Sequence, residues 1–231
     1  STLARELAAH GAKIALLDIA PERAGQLAQE INGAGAEAVS FYCDVLNRES
    51  IEKAGQAVAN RFGGVDIFVA NAGIGGAVLP LLEQTENEFM NVISVNLKGT
   101  FLCAKAAANQ MIHQGRGGRI VITASIGAFE GGGHHGPYGA SKGALVTLVR
   151  TMGREWAEYG ITVHSLMLGN LLKSPMFQSL LPQYATKLGL KPDEVEQYYI
   201  DKVPLKRGCD YQDVLNMLLF YASPKASYCT G

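Results

Sequence analysis

Tyr138 and Lys142 stand four residues apart in the segment YGASK. On a helix that spacing places both side chains on one face, with Cβ atoms about 5–6 Å apart. An ammonium beside a phenol favours the phenolate and lowers the phenol pKa from about 10. Tyr138 is therefore a candidate general acid/base. A Tyr-x-x-x-Lys pair is common by chance, and alone it reads equally well as a surface pair. Ser125 lies thirteen residues ahead of Tyr138, at the end of an apolar run. A hydroxyl there can bond a substrate carbonyl while Tyr138 supplies the proton, although most serines at strand ends are plain loop residues. Asn96 sits among Val92, Ile93 and other apolar residues. A carboxamide in such surroundings needs partners, either within the core or through a water beside Lys142.

The elements that must position these groups alternate along the chain without a linker. Helix-like stretches at 2–10, 21–32, 47–62, 85–113, 138–159 and 211–221 alternate with apolar runs at 12–18, 37–44, 65–73, 118–125 and 160–168. Thr85 and Glu88 have capping-box spacing at the start of the long helix. Leu145, Leu148, Val149, Met152 and Trp156 form one apolar stripe. Periodicity weakens and prolines appear from 169 to 209, which predicts loops and short helices. Continuous apolar strands alternating with helices predict an α/β fold, a doubly wound parallel sheet of Rossmann type covered on both faces. In that fold, ligands bind beyond the carboxyl ends of the strands.

Composition narrows the classes. The chain has 231 residues, 48% hydrophobic and 18% charged, with a net charge of −1. That excludes a disordered chain and gives no overall attraction to nucleic acid or to an anionic membrane. No apolar run approaches the roughly 20 residues of a membrane span. Cys43, Cys103, Cys209 and Cys229 form no CxxC pair, and no metal-ligand spacing is present. They read as reduced thiols of a cytoplasmic protein. Both ends, STLARELAAHGA and YCTG, begin or stop inside patterned segments, so the chain reads as cut at both.

Asp18 ends the first apolar run. A carboxylate there can accept both hydroxyls of an adenosine ribose and repel a 2′-phosphate, which favours NAD over NADP. It can equally be a helix cap or a solvated strand end. The glycine-rich phosphate loop expected about 20 residues before such an acid falls upstream of Ser1.

Taken together, the NAG turn at 71–73, Asn96, Ser125 and YGASK at 138–142 resemble the short-chain dehydrogenase/reductase family in order, spacing and strand-end placement. The resemblance implies a single Rossmann-type NAD(P)-binding domain over 1–231, with 169–209 as the substrate-loop region. It implies hydride transfer with NAD and an Asn96, Ser125, Tyr138 and Lys142 tetrad. Tyr138 would be the acid/base, and Ser125 would orient the carbonyl. Lys142 would bind the nicotinamide ribose and lower the Tyr138 pKa, and Asn96 would support a water in the proton relay. Asp44 and Val45 would contact adenine, Asn71, Ala72 and Gly73 would line the cofactor cleft, and Leu171 would meet the carboxamide. The resemblance also implies a homotetramer or homodimer built through the helices at 86–113 and 138–159. The family's first strand lies between those at 12–18 and 65–70, so those two are expected not to pair with each other.

Residues 159–231 resemble a polyol-phosphate dehydrogenase branch of the family, whereas 1–158 read as a general member. The alternatives are an enzyme acting on an unphosphorylated polyol, sugar or hydroxyketone, and a non-catalytic nicotinamide-binding regulator. A phosphorylated substrate needs a cation from 169–209. Lys173, nearest the strand end, is the first expectation and Arg207 the second, while Lys187 and Lys191, near Asp193 and Glu194, read as solvated. His134 and His135 read equally as substrate contacts or as polar loop residues.

Overall fold

Each apolar run becomes a parallel strand in the computed structural model, which describes residues 2–231. Strand β1 (Ile14–Asp18) pairs with β2 (Ala38–Tyr42), Ile14 opposite Ala38. Strands β3 (Ile67–Ala70), β4 (Gly118–Ser125) and β5 (Ile161–Leu168) form a second parallel ladder with Ser125 opposite Leu168. Among the described residues β1 and β3 do not pair with each other, as the assumed strand order requires.

Helices α1 (Thr2–Ala9), α2 (Pro21–Gly33) and α3 (Arg48–Phe62) follow the sequence reading closely. Pro21 starts α2, where its missing N–H costs nothing. Gly63 ends α3 at φ 79°, a left-handed conformation that favours glycine. The stretch at 85–113 differs from the single helix expected. Helix α4 (Glu86–Ile93) opens with the Thr85–Glu88 capping box. A π-helical segment, Ser94–Gly99, interrupts it before α5 (Thr100–Gln114). Such π segments cluster at functional sites, and this one carries Asn96.

Beyond β4 come a one-turn helix α6 (Gly127–Glu130) and the long α7 (Gly136–Glu155). The 169–209 segment is more helical than its prolines suggest, with α8 (Pro175–Leu188) and α9 (Pro192–Lys202). Pro175 and Pro192 occupy first helical positions, where proline is tolerated. Pro182 lies inside α8, and burial of Phe177, Leu180, Tyr184 and Val195 in one cluster offsets its lost hydrogen bond. Helix α10 (Tyr211–Ala222) closes the fold.

The core has two faces. Ala104, Ala108 and Met111 of α5 and Leu145, Val149 and Met152 of α7 pack on Ile120, Ile122, Ile161 and Val163. On the other face, Leu3 and Leu7 of α1 and Val214 and Leu218 of α10 cover Val121 and Leu166. The result is an α/β Rossmann-type fold in one domain. Among the described residues no helix is long and apolar enough to cross a membrane.

His164 of β5 is buried in that second face, stacked on Tyr221 with ring centroids 4.2 Å apart. Burial, with Arg119 adding to it, pushes its pKa down to about 4. The unfolded chain therefore binds a proton between about pH 6.5 and 4 that the folded chain refuses, and stability falls as the pH drops through that window. We expect the stability difference between the wild type and His164→Gln to shift by on the order of 1–3 kcal/mol between pH 7 and 4.5, allowing for solvent screening. Urea unfolding at both pH values measures it, and a pH-independent difference would contradict it.

Candidate active site

Beyond the carboxyl end of β4, Ser125 faces Tyr138 on the first turn of α7. Gly127 N–H donates to Ser125 Oγ at 3.2 Å, which fixes the hydroxyl oxygen. A Cβ at Gly127 would lie 3.5 Å from Ser125 Oγ and 3.9 Å from the Tyr138 ring, so the two side chains adjoin across that glycine. Lys142 lies one turn further along α7, its Nζ 5.7 Å from the Tyr138 ring centroid. Its ammonium donates to the Thr123 carbonyl at 2.8 Å, and Thr123 Oγ1 donates in turn to the Ala70 carbonyl at 3.0 Å. Lys142 is therefore held by β4 and β3 together, with donors to spare.

The electrostatics correct one expectation. Lys142 was expected to hold the Tyr138 phenol below its usual pKa. Burial instead pushes the phenol up, and the hydrogen bond from Ser125 is what pulls against it. The physical reason is desolvation, which disfavours the charged form of either group. The same burial pushes the Lys142 ammonium down to about 8. At neutral pH the phenol keeps its proton.

Asn96 is completely buried. Its Oδ1 accepts from Ile74 N–H at 2.8 Å, and its Nδ2 donates to Ile74 O at 2.9 Å and to Ser141 Oγ at 3.1 Å. Ser141 Oγ donates to the Tyr138 carbonyl at 2.7 Å. Both amide donors are spent on protein, which favours the core-partner alternative of the sequence reading for the side chain over a water. Asn96 thus clamps the loop after β3 and, through Ser141, the turn that carries Tyr138. Ser141 was missed, although its place three residues after Tyr138 puts it on the same helix face. Gly73 sits between these groups. A Cβ there would lie 3.2 Å from Asn96 Oδ1 and 3.8 Å from Lys142 Nζ, so the bare backbone leaves a cradle beside the lysine.

Further along the strand ends, Asp18 is exposed. One carboxylate oxygen accepts from Ala20 N–H at 2.9 Å. The other has no partner among the described residues, so both the capping and the ligand-binding readings fit it. Asp44 accepts from Leu46 N–H at 2.9 Å, and Val45 packs against Gly99 of the π segment, where a Cβ would come within 2.8 Å of its side chain. Asn71 and Ala72 are exposed beside Gly73. Leu171 follows the end of β5, half-buried against the cluster that contains Val214 and Leu218, and its carbonyl accepts from Ser174 N–H at 2.9 Å.

The two cations expected to grip a phosphate are engaged elsewhere. Lys173 Nζ meets Glu196 at 2.6 Å and is largely exposed. Arg207 forks onto Asp213, with Nη2 at 2.8 Å from Oδ1. A neighbouring carboxylate satisfies each cation more cheaply than a distant ligand. Of the two histidines, His135 joins the site. Its ring stacks on Tyr138 with centroids 4.8 Å apart, and its Nε2–H donates to the Gly75 carbonyl at 2.9 Å. Burial holds it neutral, which leaves Nδ1 as an acceptor. His134 adopts the left-handed region at φ 63°.

A family model described as enoyl-(acyl carrier protein) reductase matches residues 1–231. Sorbitol-6-phosphate 2-dehydrogenase from Escherichia coli K12 is 54% identical over 231 residues, covering 99% of this chain and 89% of that protein. The crystal structure of sorbitol-6-phosphate 2-dehydrogenase SrlD from Erwinia amylovora superposes with a TM-score of 0.96 at 50% identity, covering 99% of this chain and 90% of that one. NAD+-bound xylitol dehydrogenase superposes with a TM-score of 0.93 at 32% identity, covering 99% and 89%. The specific likeness therefore runs the length of the chain and is not confined to 159–231.

Proposed function

This chain belongs to the short-chain dehydrogenase/reductase family of oxidoreductases, and from that premise we propose that it interconverts sorbitol 6-phosphate and fructose 6-phosphate with NAD. The observation that carries the reading is the convergence of Ser125, Tyr138 and Lys142 at one strand end, in a chain 54% identical to an enzyme of that name.

The residues fit a nicotinamide cofactor. The Gly73 cradle lies beside Lys142, whose spare donors suit ribose hydroxyls, and the free oxygen of Asp18 suits the adenosine end. Asp44, Val45, Asn71, Ala72 and Leu171 belong to the same proposal as further contacts. When bound, the cofactor supplies the hydride acceptor for alcohol oxidation and the hydride donor for carbonyl reduction. In oxidation the substrate hydroxyl gives its proton to the Tyr138 oxygen as the carbon loses hydride. In reduction the Tyr138 phenol returns that proton to the carbonyl oxygen. The Ser125 hydroxyl bonds the same oxygen and fixes its position. Lys142 supplies positive charge close to the phenol, and Asn96 and Ser141 hold the turn that aims it. Because burial keeps the phenol protonated at neutral pH, Tyr138 stands ready as an acid for reduction, and oxidation gains as pH rises.

NADH formation by the full protein with sorbitol, xylitol and sorbitol 6-phosphate tests the reading. We expect the phosphorylated polyol to be preferred. We also expect NAD to be favoured over NADP by on the order of 10²-fold, because Asp18 would face a 2′-phosphate unpaired. Asp18→Ala should narrow that gap. Equal efficiency with both cofactors would contradict the role of Asp18, and cofactor binding without oxidation of any alcohol would mark a regulator. Assembly as a homodimer or homotetramer through 86–113 and 138–159 is part of this proposal. It draws on the exposed Phe89, Met90, Phe101 and Ile112, and light scattering tests it. Four cysteines without a disulfide suit a reducing compartment such as the cytoplasm.

A further inference from the structure

Helices α8 and α9 continue the site as an aromatic wall. His135 stacks on Tyr138, and Tyr184 of α8 meets His135 edge-on at 6.0 Å. Tyr199 of α9 meets Tyr184 at 5.8 Å, and Tyr198 adjoins Tyr199 at 5.5 Å. An acyclic polyol held by its second carbon at Tyr138 runs its remaining carbons along such a wall. Its phosphate, at the last carbon, brings about two negative charges.

The cations of 169–209 sort by their partners. Lys173 and Arg207 have carboxylates, and Lys206 donates to the Asp201 carbonyl at 2.7 Å. Lys191 is exposed at the start of α9. Lys187 follows Tyr184 by three residues, on the same face of α8, and is half-buried. Lys202 sits over the Tyr198 ring at 4.3 Å. Among the described residues neither Lys187 nor Lys202 has a carboxylate partner.

We infer that Lys187, with Lys202 behind it, holds the substrate phosphate at the far end of the wall that begins at Tyr138. This rests on the polyol-phosphate reading above. Burial first, and then Lys202, hold Lys187 below the usual lysine range. Lys187 adds to the burial that keeps His135 neutral. Lys187 is half-buried without a carboxylate partner while Lys202 is exposed, and a dianion between them relieves their repulsion and offsets the hydration that Lys187 has lost. The Tyr198 phenol faces both lysines, and the Glu130 carboxylate of α6 lies toward the adjoining Tyr199. Lysine serves here as a point charge, which suits a phosphate on a mobile chain.

The bland alternative is that Lys187 complements the C-terminal dipole of α8. Steady-state kinetics of the wild type, Lys187→Gln, Lys187→Arg and Lys191→Gln separate the two, with fructose 6-phosphate and with fructose. We expect Lys187→Gln to raise the KM for fructose 6-phosphate at least tenfold. Its kcat, its KM for NADH and its slow rate with fructose should stay as in the wild type, which also shows that the variant is folded. Lys187→Arg should restore most of the loss, and Lys191→Gln should change nothing. Inorganic phosphate should compete with fructose 6-phosphate in the wild type and more weakly in Lys187→Gln. A Lys187→Gln variant that keeps its KM for fructose 6-phosphate, or raises it equally for fructose, overturns the inference. A wild type that uses fructose as well as its phosphate overturns the polyol-phosphate reading itself, and the inference falls with it.

Discussion

Replacing Tyr138 by Phe should lower turnover by at least 10²–10⁴-fold, the usual contribution of a positioned acid/base. Cofactor affinity should remain close to that of the wild type. The phenol oxygen is the group on α7 that adjoins Ser125 and can hold a transferable proton at the reacting oxygen. Of the other titratable groups beside it, Lys142 is tied to the Thr123 carbonyl and His135 to the Gly75 carbonyl. The ring itself should stay in place, because its stacking on His135 does not need the hydroxyl. Residual activity should lose the rise with pH that a buried, proton-holding phenol imposes on alcohol oxidation. Stopped-flow and steady-state rates at several pH values measure both effects. A variant that retains a tenth of the wild-type rate would remove Tyr138 from the chemistry.

Asn96→Ala tests the support beneath that chemistry. The substitution leaves the Ile74 N–H and C=O without partners in a closed site and removes the link to Ser141. Each buried unpaired group costs about 1–3 kcal/mol. We therefore expect a loss of about 2–4 kcal/mol in unfolding free energy and a Tm lower by roughly 5–15 °C. Measured well below that melting point, kcat should still fall at least tenfold, because the loop at 71–76 and the turn bearing Tyr138 lose their common anchor. Calorimetry and kinetics on one preparation separate the two effects. An unchanged Tm would show that the amide network is dispensable, and a lowered Tm with unchanged kcat would confine Asn96 to stability.

The candidate site was largely legible before the fold, for a specific reason. Tyr138, Lys142 and Ser125 depend on regular elements, and helix spacing and strand ends translate directly into position. The same holds for Asp18, since a residue that ends an apolar run in this fold class lies on the ligand-bearing edge. Asn96 was identified as chemically conspicuous, but its partners were not. Its partners lie across the fold, on the loop after β3 and on α7, and it sits in the π segment Ser94–Gly99, which the helical periodicity did not signal. The carboxylate partners of Lys173 and Arg207 were not legible, because charge in a sequence carries no record of its partner. Glu196 lies twenty-three residues from Lys173, and only the packing of α8 against α9 brings the two together.

The alternation of apolar runs and amphipathic helices by itself determined a parallel α/β fold. The spacing of a few polar residues at its edges pointed to a candidate proton-transfer site. Both are local properties, because side-chain periodicity and hydrogen-bonding capacity belong to each segment. Three things were decided only by the tertiary structure. Burial, not Lys142, governs the Tyr138 phenol. Asn96 is a clamp between β3 and α7. Among the described residues Lys187 and Lys202 are left without a carboxylate partner. Each of these depends on how much solvent, and which opposite charge, the assembled elements leave around a group. Desolvation and ion pairing act through space, so residues distant in the chain decide them.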